Sequence, residues 1–445
     1  MIWSVGCRVP TPGTSRISQP EHIWEAGGGK GRVRSRVITM KILFYGINYS
    51  PELTGAGKYS GEMAAWLVSQ GHEVKVVTAP PYYPEWKVRD GYSNWWFSTE
   101  MGAGISVTRC PLFVPARPTA LKRLLHLATF SLSSTLAVLS HVRWRPDVVI
   151  QVAPTLMCAP QTLLVSRLSG AVSVLHIQDY EIDALFGLDM ARSGMLKRLA
   201  FYLEKKVLSA FDRVATISGQ MISRAANKGV APSKLMLVPN WSETARFVGQ
   251  QRSPALLLRL GVDPAKKVLL YSGNLGEKQG LELIVEAAQC WVERPDRVFL
   301  IVGEGASKAR LQESVDTLGL PNVVFAPLQP YEDLPALLAS ADCHLIIQKR
   351  GAADLMLPSK LTNVLAVGGN AVITADTGTS LGQLCDDYPG IAVRVDPESV
   401  QALMDGIDAC LAQALPNHVA VAYANESLNK DRILTRFLSE LAAAR

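Results

Sequence analysis

The chain has 445 residues, 48% of them hydrophobic and 19% charged, which at about 100 to 200 residues per domain supplies two or three cores and excludes a disordered tail protein or a single small module. The net charge is +6, but residues 1–39 carry six basic and two acidic side chains, four of those charges. The remainder therefore has no broad nucleic-acid footprint.

Residues 1–39 mix Gly, Pro, Ser and Arg without apolar periodicity and lack the apolar run of a signal peptide. They read as an extension outside the fold, with Met40 as the expected start; a basic arm on anionic lipid is the alternative. From Lys41 onward, short apolar runs alternate with helical patterns, the signature of parallel sheets covered by helices. The first series expects strands at 41–47, 73–78, 105–110, 147–152, 172–177 and 213–217, with helices at 57–70, 119–143, 156–169, 195–210 and 219–228. The second expects strands at 267–272, 297–302, 322–325, 343–347, 371–374 and 391–395, with helices at 280–293, 306–318, 331–340, 359–367 and 398–412.

This is an α/β chain with two Rossmann-like domains facing a cleft: 40–240 on the acceptor side, 241–420 on the nucleotide side. The apolar run ending at Asn240 and the irregular polar segment Trp241 to Ser253 mark the boundary. A last amphipathic helix, roughly Leu428 to Ala443 in the tail 421–445, has no strand after it and is expected to cross back to the first domain. Leu124 to Val142 lacks Asp, Glu, Lys and Arg but carries two histidines. It reads as a core helix or, between Lys122–Arg123 and Arg143–Arg145, as a helix lying on a membrane surface.

Four motifs carry candidate chemistry. After the first strand, Gly55-Ala-Gly57-Lys58 leads into a helix, where backbone N–H groups favour an anion; its spacing departs from the dinucleotide fingerprint, which disfavours nicotinamide. The second domain opens with Gly273-Asn274-Leu-Gly276-Glu-Lys278-Gln279-Gly280, a glycine-bearing loop whose lysine could help neutralise a diphosphate. Val302-Gly303-Glu304-Gly305 repeats the strand–glycine arrangement. Asp354-Leu-Met-Leu-Pro-Ser359-Lys360-Leu361-Thr-Asn363 places Pro and Ser at a helix start beside a cation. At the end of a first-domain strand, His176 and Asp179 are candidates to face the cleft. Pro80 to Arg89, with Trp95-Trp96-Phe97 after it, concentrates aromatic rings that could stack on sugars, insert at a membrane interface or close a small satellite core. The seven cysteines are scattered without a C-x-x-C pair, as suits a reducing cytoplasm. The histidines show no metal-ligand spacing, so no metal site or resident cofactor is expected.

From about Met40 to the C-terminus the sequence resembles the family-4 glycosyltransferases of the GT-B fold, and more narrowly the colanic acid biosynthesis fucosyltransferases. The resemblance rests on Tyr49-Ser-Pro-Glu52 with Gly55, Gly71-His-Glu-Val74, Pro81-Tyr-Tyr-Pro84-Glu-Trp86, Gly273-Asn-Leu-Gly276 and Leu357-Pro-Ser-Lys-Leu-Thr-Asn363. It departs from the family where Asn274 and Gln279 stand for the usual Arg and Lys of the donor loop, and where Leu355 and Asn363 stand for two glutamates. Lys278 and Lys360 are the expected substitutes at the diphosphate, and Asn363 could bond a ribose hydroxyl.

The resemblance implies transfer of fucose from GDP-fucose, with retention, to a saccharide on a lipid diphosphate at the inner face of the plasma membrane. In that picture Asp179 positions the acceptor or cation. A GT-B sugar-nucleotide epimerase and a non-catalytic sugar-nucleotide-binding assembly protein are the alternatives.

Overall fold

The computed structural model describes residues 39–443 apart from 53–54, 118, 181–193 and 351–358. The first sheet contains β1 (Lys41–Tyr45), β2 (Glu73–Thr78), β3 (Ser98–Gly102), β4 (Ile105–Arg109), β5 (Val148–Ala153), β6 (Val172–Ile177), β7 (Arg213–Thr216) and β8 (Leu235–Leu237), in the order β3-β4-β2-β1-β5-β6-β7-β8. All neighbours are parallel except β3, which pairs antiparallel with β4 at the edge. Its helices are α1 (Gly55–Ser69), α2 (Ala120–Ser140), α3 (Ala159–Ser169), α4 (Gly194–Ala210) and α5 (Gly219–Asn227).

α6 (Thr244–Phe247) and α7 (Pro254–Arg259) follow. The second sheet, β9 (Lys267–Ser272), β10 (Arg297–Val302), β11 (Val323–Ala326), β12 (Cys343–Ile346), β13 (Ala371–Thr374) and β14 (Val393–Val395), is parallel throughout in the order β11-β10-β9-β12-β13-β14. Its helices are α8 (Glu282–Cys290), α9 (Lys308–Leu318), α10 (Leu334–Ala339), α11 (Ser359–Val367), α12 (Ser380–Asp387), α13 (Val400–Leu411) and α14 (His418–Ser427), and α15 (Lys430–Ala443) ends the described chain.

The central strands read as continuous apolar runs because both faces are covered. β5 and β6 are buried along their whole length. Right-handed crossovers send α1 to one face of the first sheet and α2, α3 and α4 to the other. α1 packs its Tyr59, Met63 and Trp66 against Phe44 and Val76; α2 brings Leu127, Phe130 and Val138 against Leu43, Tyr45 and Val149.

α15 does cross back. Its Ile433, Leu434, Phe437 and Leu441 lie in the core formed by α1 and the first sheet. Before it, α14 buries Ala420 and Ala424 in the second core, and Leu428 completes that set. Trp241 belongs to the first core and Phe247 to the second. The outgoing and returning segments meet where Ser242 N–H donates to Leu428 O (2.9 Å) and Asn429 Nδ2 to Thr244 Oγ1 (3.0 Å).

Candidate active site

In an open parallel sheet, loops diverge where the strand order reverses and leave a crevice at the carboxyl ends of the strands. That point lies between β1 and β5 in the first sheet and between β9 and β12 in the second.

On the second sheet, β9 runs into Gly273, whose N–H donates to Val302 O (3.0 Å), and Leu275 N–H donates to Glu304 O (2.9 Å). The loop after β10 presses so closely that a Cβ on Gly303 would lie 1.9 Å from Gly273 O, and one on Gly305 2.4 Å from Leu275 O. Only glycine fits at either position. The Tyr271 hydroxyl donates to Asn274 O over 2.7 Å and pins the turn. The amides of Asn274 and Gln279 both face Gly276, where a Cβ would meet Gln279 Oε1 at 2.8 Å and Asn274 Nδ2 at 3.0 Å. Gln279 Oε1 is buried with no hydrogen-bond partner among the described residues.

Two lysines bracket this loop. Lys360 Nζ stands 4.3 Å from the centre of the Tyr271 ring, and its stem passes Gly273, Cδ lying 3.6 Å from where a Cβ would be. Lys349, beyond β12, lays its stem over Gly280, which has φ +64°; a Cβ there would meet Lys349 Cγ at 2.8 Å. Lys349 escaped the sequence reading because no motif contains it; the parallel pairing of β9 with β12 brings it to the loop. Among the described residues no carboxylate pairs with it. By contrast Lys308 pairs with Glu304 (2.7 Å), Arg310 with Glu282 (2.5 Å) and Arg350 with Asp376 (2.5 Å).

Other expected donor residues have different surroundings. Glu304 is held by Lys308, and Leu361 is buried in the second core. Asn363 Oδ1 accepts from Ser242 Oγ (2.9 Å), so this amide oxygen is used in joining α11 to the segment between the sheets. Lys278 sits in the turn Glu277–Gln279; its side chain, that of Ser359 and all of Asp354 lie outside the described residues.

On the first sheet the organising group is Glu52, which is buried. Its Oε1 accepts from the N–H groups of Tyr82 (3.1 Å) and Tyr83 (3.0 Å), and its Oε2 from Asn48 Nδ2 (2.9 Å). Burial raises its carboxyl above the usual range against these three bonds. Glu52 thereby staples the loop after β1 to the aromatic loop after β2. The expectation that Gly57 gives a phosphate room is corrected here: a Cβ on Gly57 would lie 2.6 Å from Glu52 Oε2, so the protein's own carboxylate takes that space. Lys58 turns to Glu62 (3.8 Å), which also accepts from Trp241 Nε1 (2.7 Å). Gly55 begins α1 with φ +59°, and a Cβ there would be 3.9 Å from the Tyr83 ring.

Tyr82, Trp86 and His126 of α2 form a ring cluster with centroids 4.7 to 5.6 Å apart, and the Arg123 guanidinium lies 5.4 Å from the Trp86 ring. Tyr82 and Trp86 thereby join the first-sheet core on the α2 side rather than forming a separate satellite core. Tyr83 stays partly exposed; burial, then Asp179, then Glu52 raise its hydroxyl. Asp179 follows the end of β6, and the partial burial of its carboxyl raises it above the usual range. His176 is buried in β6, its imidazole pushed down to about 4 by burial, with Nε2 3.3 Å from Gln178 Nε2. It is neutral at ordinary pH.

Between the two sheets lies a cavity of about 560 Å³ lined by Ser218, Asn240, Thr362, Ser380 and Tyr388 among others. Asn240 Oδ1 is buried there without a hydrogen-bond partner among the described residues. No group of three His, Cys, Asp or Glu side chains that could hold a metal occurs among the described residues.

The comparisons match this arrangement. Residues 54–241 match the glycosyl transferase 4-like domain, and residues 259–427 the glycosyl transferases group 1 domain. The chain is 54% identical over 407 residues, 90% of its length, to the whole of the colanic acid biosynthesis glycosyl transferase WcaI of Escherichia coli (strain K12). It is 27% identical to 2-deoxystreptamine N-acetyl-D-glucosaminyltransferase of Streptomyces fradiae, covering 54% of this chain and 58% of that one. Among solved structures, sucrose-phosphate synthase from Thermosynechococcus elongatus superposes with TM-score 0.66 at 15% identity, covering 91% of this chain and 100% of that one. Anabaena HepE in complex with UDP-glucose superposes with TM-score 0.62 at 16% identity, with the same coverage. With both halves matched and one relative aligned along its whole length, the chain belongs to the GT-B glycosyltransferases that join a glycosyl transferase 4-like domain to a group 1 domain.

Proposed function

We propose that this glycosyltransferase moves fucose from GDP-fucose onto a saccharide carried on a lipid diphosphate, in the assembly of colanic acid or a related exopolysaccharide, at the inner face of the plasma membrane. The observation that carries the pathway is the 54% identity along the whole of WcaI. Fucose and guanine rest on the sequence resemblance alone.

The donor diphosphate would lie over the Gly273–Gly280 loop, with backbone N–H groups and the ammonium groups of Lys360 and Lys349 on its oxygens. The acceptor hydroxyl oxygen attacks the anomeric carbon from the face the leaving group departs. The bond from that carbon to the diphosphate breaks, its electron pair goes to the phosphate oxygen, and that oxygen accepts the hydroxyl proton. Charge develops on the leaving diphosphate, where a pre-placed cation lowers the barrier most. Asp179 orients the acceptor, and no resident metal is needed.

The test is a donor-by-acceptor assay offering GDP-fucose, GDP-mannose, UDP-glucose and UDP-galactose with and without a lipid-diphosphate saccharide, following nucleotide release and product mass. Acceptor-dependent GDP release with a gain of one deoxyhexose is the expected result. Turnover of another donor would overturn the choice of sugar, and release without acceptor would favour the epimerase. A donor-binding protein without turnover is the reading that Asn274 and Gln279 favour, since neutral amides stand in the donor loop; tight donor binding with no product from any pair would establish it.

A further inference from the structure

α2, extended to Trp144, is the one described helix long and apolar enough to cross a membrane. Its inner face rules that out. Leu127, Phe130 and Val138 are part of the first-sheet core, and Ser134 Oγ bonds the buried Tyr45 hydroxyl at 2.7 Å. The opposite face carries leucines that no described residue covers: Leu121 (76% exposed), Leu125 (50%), Leu132 (75%) and Leu136 (77%) recur at helical spacing along one stripe.

The stripe continues onto neighbouring elements. α3 is tied to α2 by Gln161 Nε2, which donates to Ser131 O (3.1 Å) and Thr135 Oγ1 (3.1 Å), and it exposes Leu164 and Leu168. α4 shares a core with α3 through Leu163, Val207 and Leu208 and exposes Leu199, Tyr202 and Leu203. On the other side, Phe113 N–H donates to Thr129 Oγ1 and Leu112 N–H to Asn94 O, which anchors the exposed Trp95, Trp96 and Phe97 next to α2. An apolar expanse on this scale marks an interaction site.

Charge identifies the partner. Between Glu100 and Asp179 the only acidic residue is Asp147, engaged by the Lys41 N–H at 2.7 Å, whereas the same stretch carries seven basic residues. Six of them, Arg117, Lys122, Arg123, Arg143, Arg145 and Arg167, are exposed around α2 and α3. Leucines on one face, a cationic rim and exposed tryptophans are the requirements for lying on an anionic bilayer.

We infer that the face formed by α2, α3 and α4, with the Trp95–Phe97 loop, docks on an anionic lipid bilayer. The first turn of α2 also touches the aromatic loop through Arg123 and Trp86, so docking brings the bilayer to the Glu52–Asp179 side of the cleft. This deepens the reading of a lipid-linked acceptor and rests on it for its purpose.

The test is flotation of the full chain with vesicles of phosphatidylcholine containing 30% phosphatidylglycerol, with pure phosphatidylcholine vesicles, and at high salt. The wild type is expected to float with the anionic vesicles, at least tenfold less with the neutral ones or in high salt. Leu132→Glu/Leu136→Glu/Leu168→Glu, all exposed, is expected to cut flotation at least tenfold with an unchanged circular dichroism spectrum. Unchanged flotation of that variant would overturn the proposal. So would a wild type that ignores every vesicle, or one that self-associates in sedimentation through these leucines and binds no lipid, since a second copy would then cover the face. Transfer to a water-soluble acceptor analogue separates the two readings: flotation without transfer leaves docking standing and removes the acceptor assignment.

Discussion

The indole Nε1 of Trp66 donates to Asp431 Oδ1 across 2.7 Å, joining residues 365 positions apart. The bond fixes the first turn of α15 on the last turn of α1, and Phe437 and Leu441 complete the docking. Asp431→Ala leaves the indole N–H without its acceptor and should cost about 1–2 kcal/mol. Urea unfolding should show that loss, and a chain ending at Asn429 should show a much larger one because four apolar side chains are removed from the first core. An unchanged midpoint for both variants would mean that α15 contributes nothing to the first domain.

Lys349 and Lys360 are expected to act on the donor. Replacing either by Ala should reduce kcat/KM for the nucleotide sugar by about 10- to 100-fold, the range for loss of one charge-assisted bond of 1.5–3 kcal/mol. Binding of the nucleoside diphosphate, measured calorimetrically, should weaken while that of the nucleoside alone does not. Lys308→Ala, whose ammonium is already held by Glu304, serves as the control.

Asp179→Asn keeps the shape and removes the charge. We expect kcat to fall roughly tenfold or more, a modest acid–base or orienting contribution, with donor affinity unchanged. Full activity in a folded Asp179→Asn protein would remove Asp179 from the reaction.

Asp342 offers a pH test. Burial opposes its ionisation, but the Val268 N–H (2.8 Å), Arg252 (2.6 Å) and Lys267 (3.1 Å) outweigh it and hold the carboxyl below the usual range. A depressed folded pKa stabilises the protein fully above the unfolded value of about 3.9, and the stabilisation drains away as the pH falls below it. Asp342→Asn should therefore be less stable than wild type at pH 7, with the gap narrowing below about pH 4. A gap that stays constant with pH would refute the charge-based account.

Most central strands could be read from the sequence because parallel strands buried on both faces are continuous apolar runs, as in Val148–Ala153 and Arg297–Val302. β3 could not: all five of its residues are exposed, and only pairing with β4 makes Ser98–Gly102 a strand. α14 was hidden by its low amphipathicity, since its buried face is two alanines. The glycine loops announce themselves because backbone crowding at Gly303 and Gly305 admits nothing larger. Glu52 and Lys349 do not, because their places depend on long-range contacts: Glu52 reaches Tyr82 and Tyr83 thirty residues on, and Lys349 reaches Gly280 only through strand pairing. Asn363 shows the converse, a motif residue whose amide oxygen has been taken by Ser242.

The two crossings of the chain between the sheets lie side by side, bonded from Ser242 to Leu428 and from Thr244 to Asn429. Two adjacent straps make a hinge pin: the halves can swing about that line, but sliding or twisting them past each other requires breaking the bonds between the straps. Asn363, on the helix that opens toward the donor loop, is bonded to the same pin at Ser242. A swing about that line would displace α11, bonded beside it, least and the far lips of the cleft most.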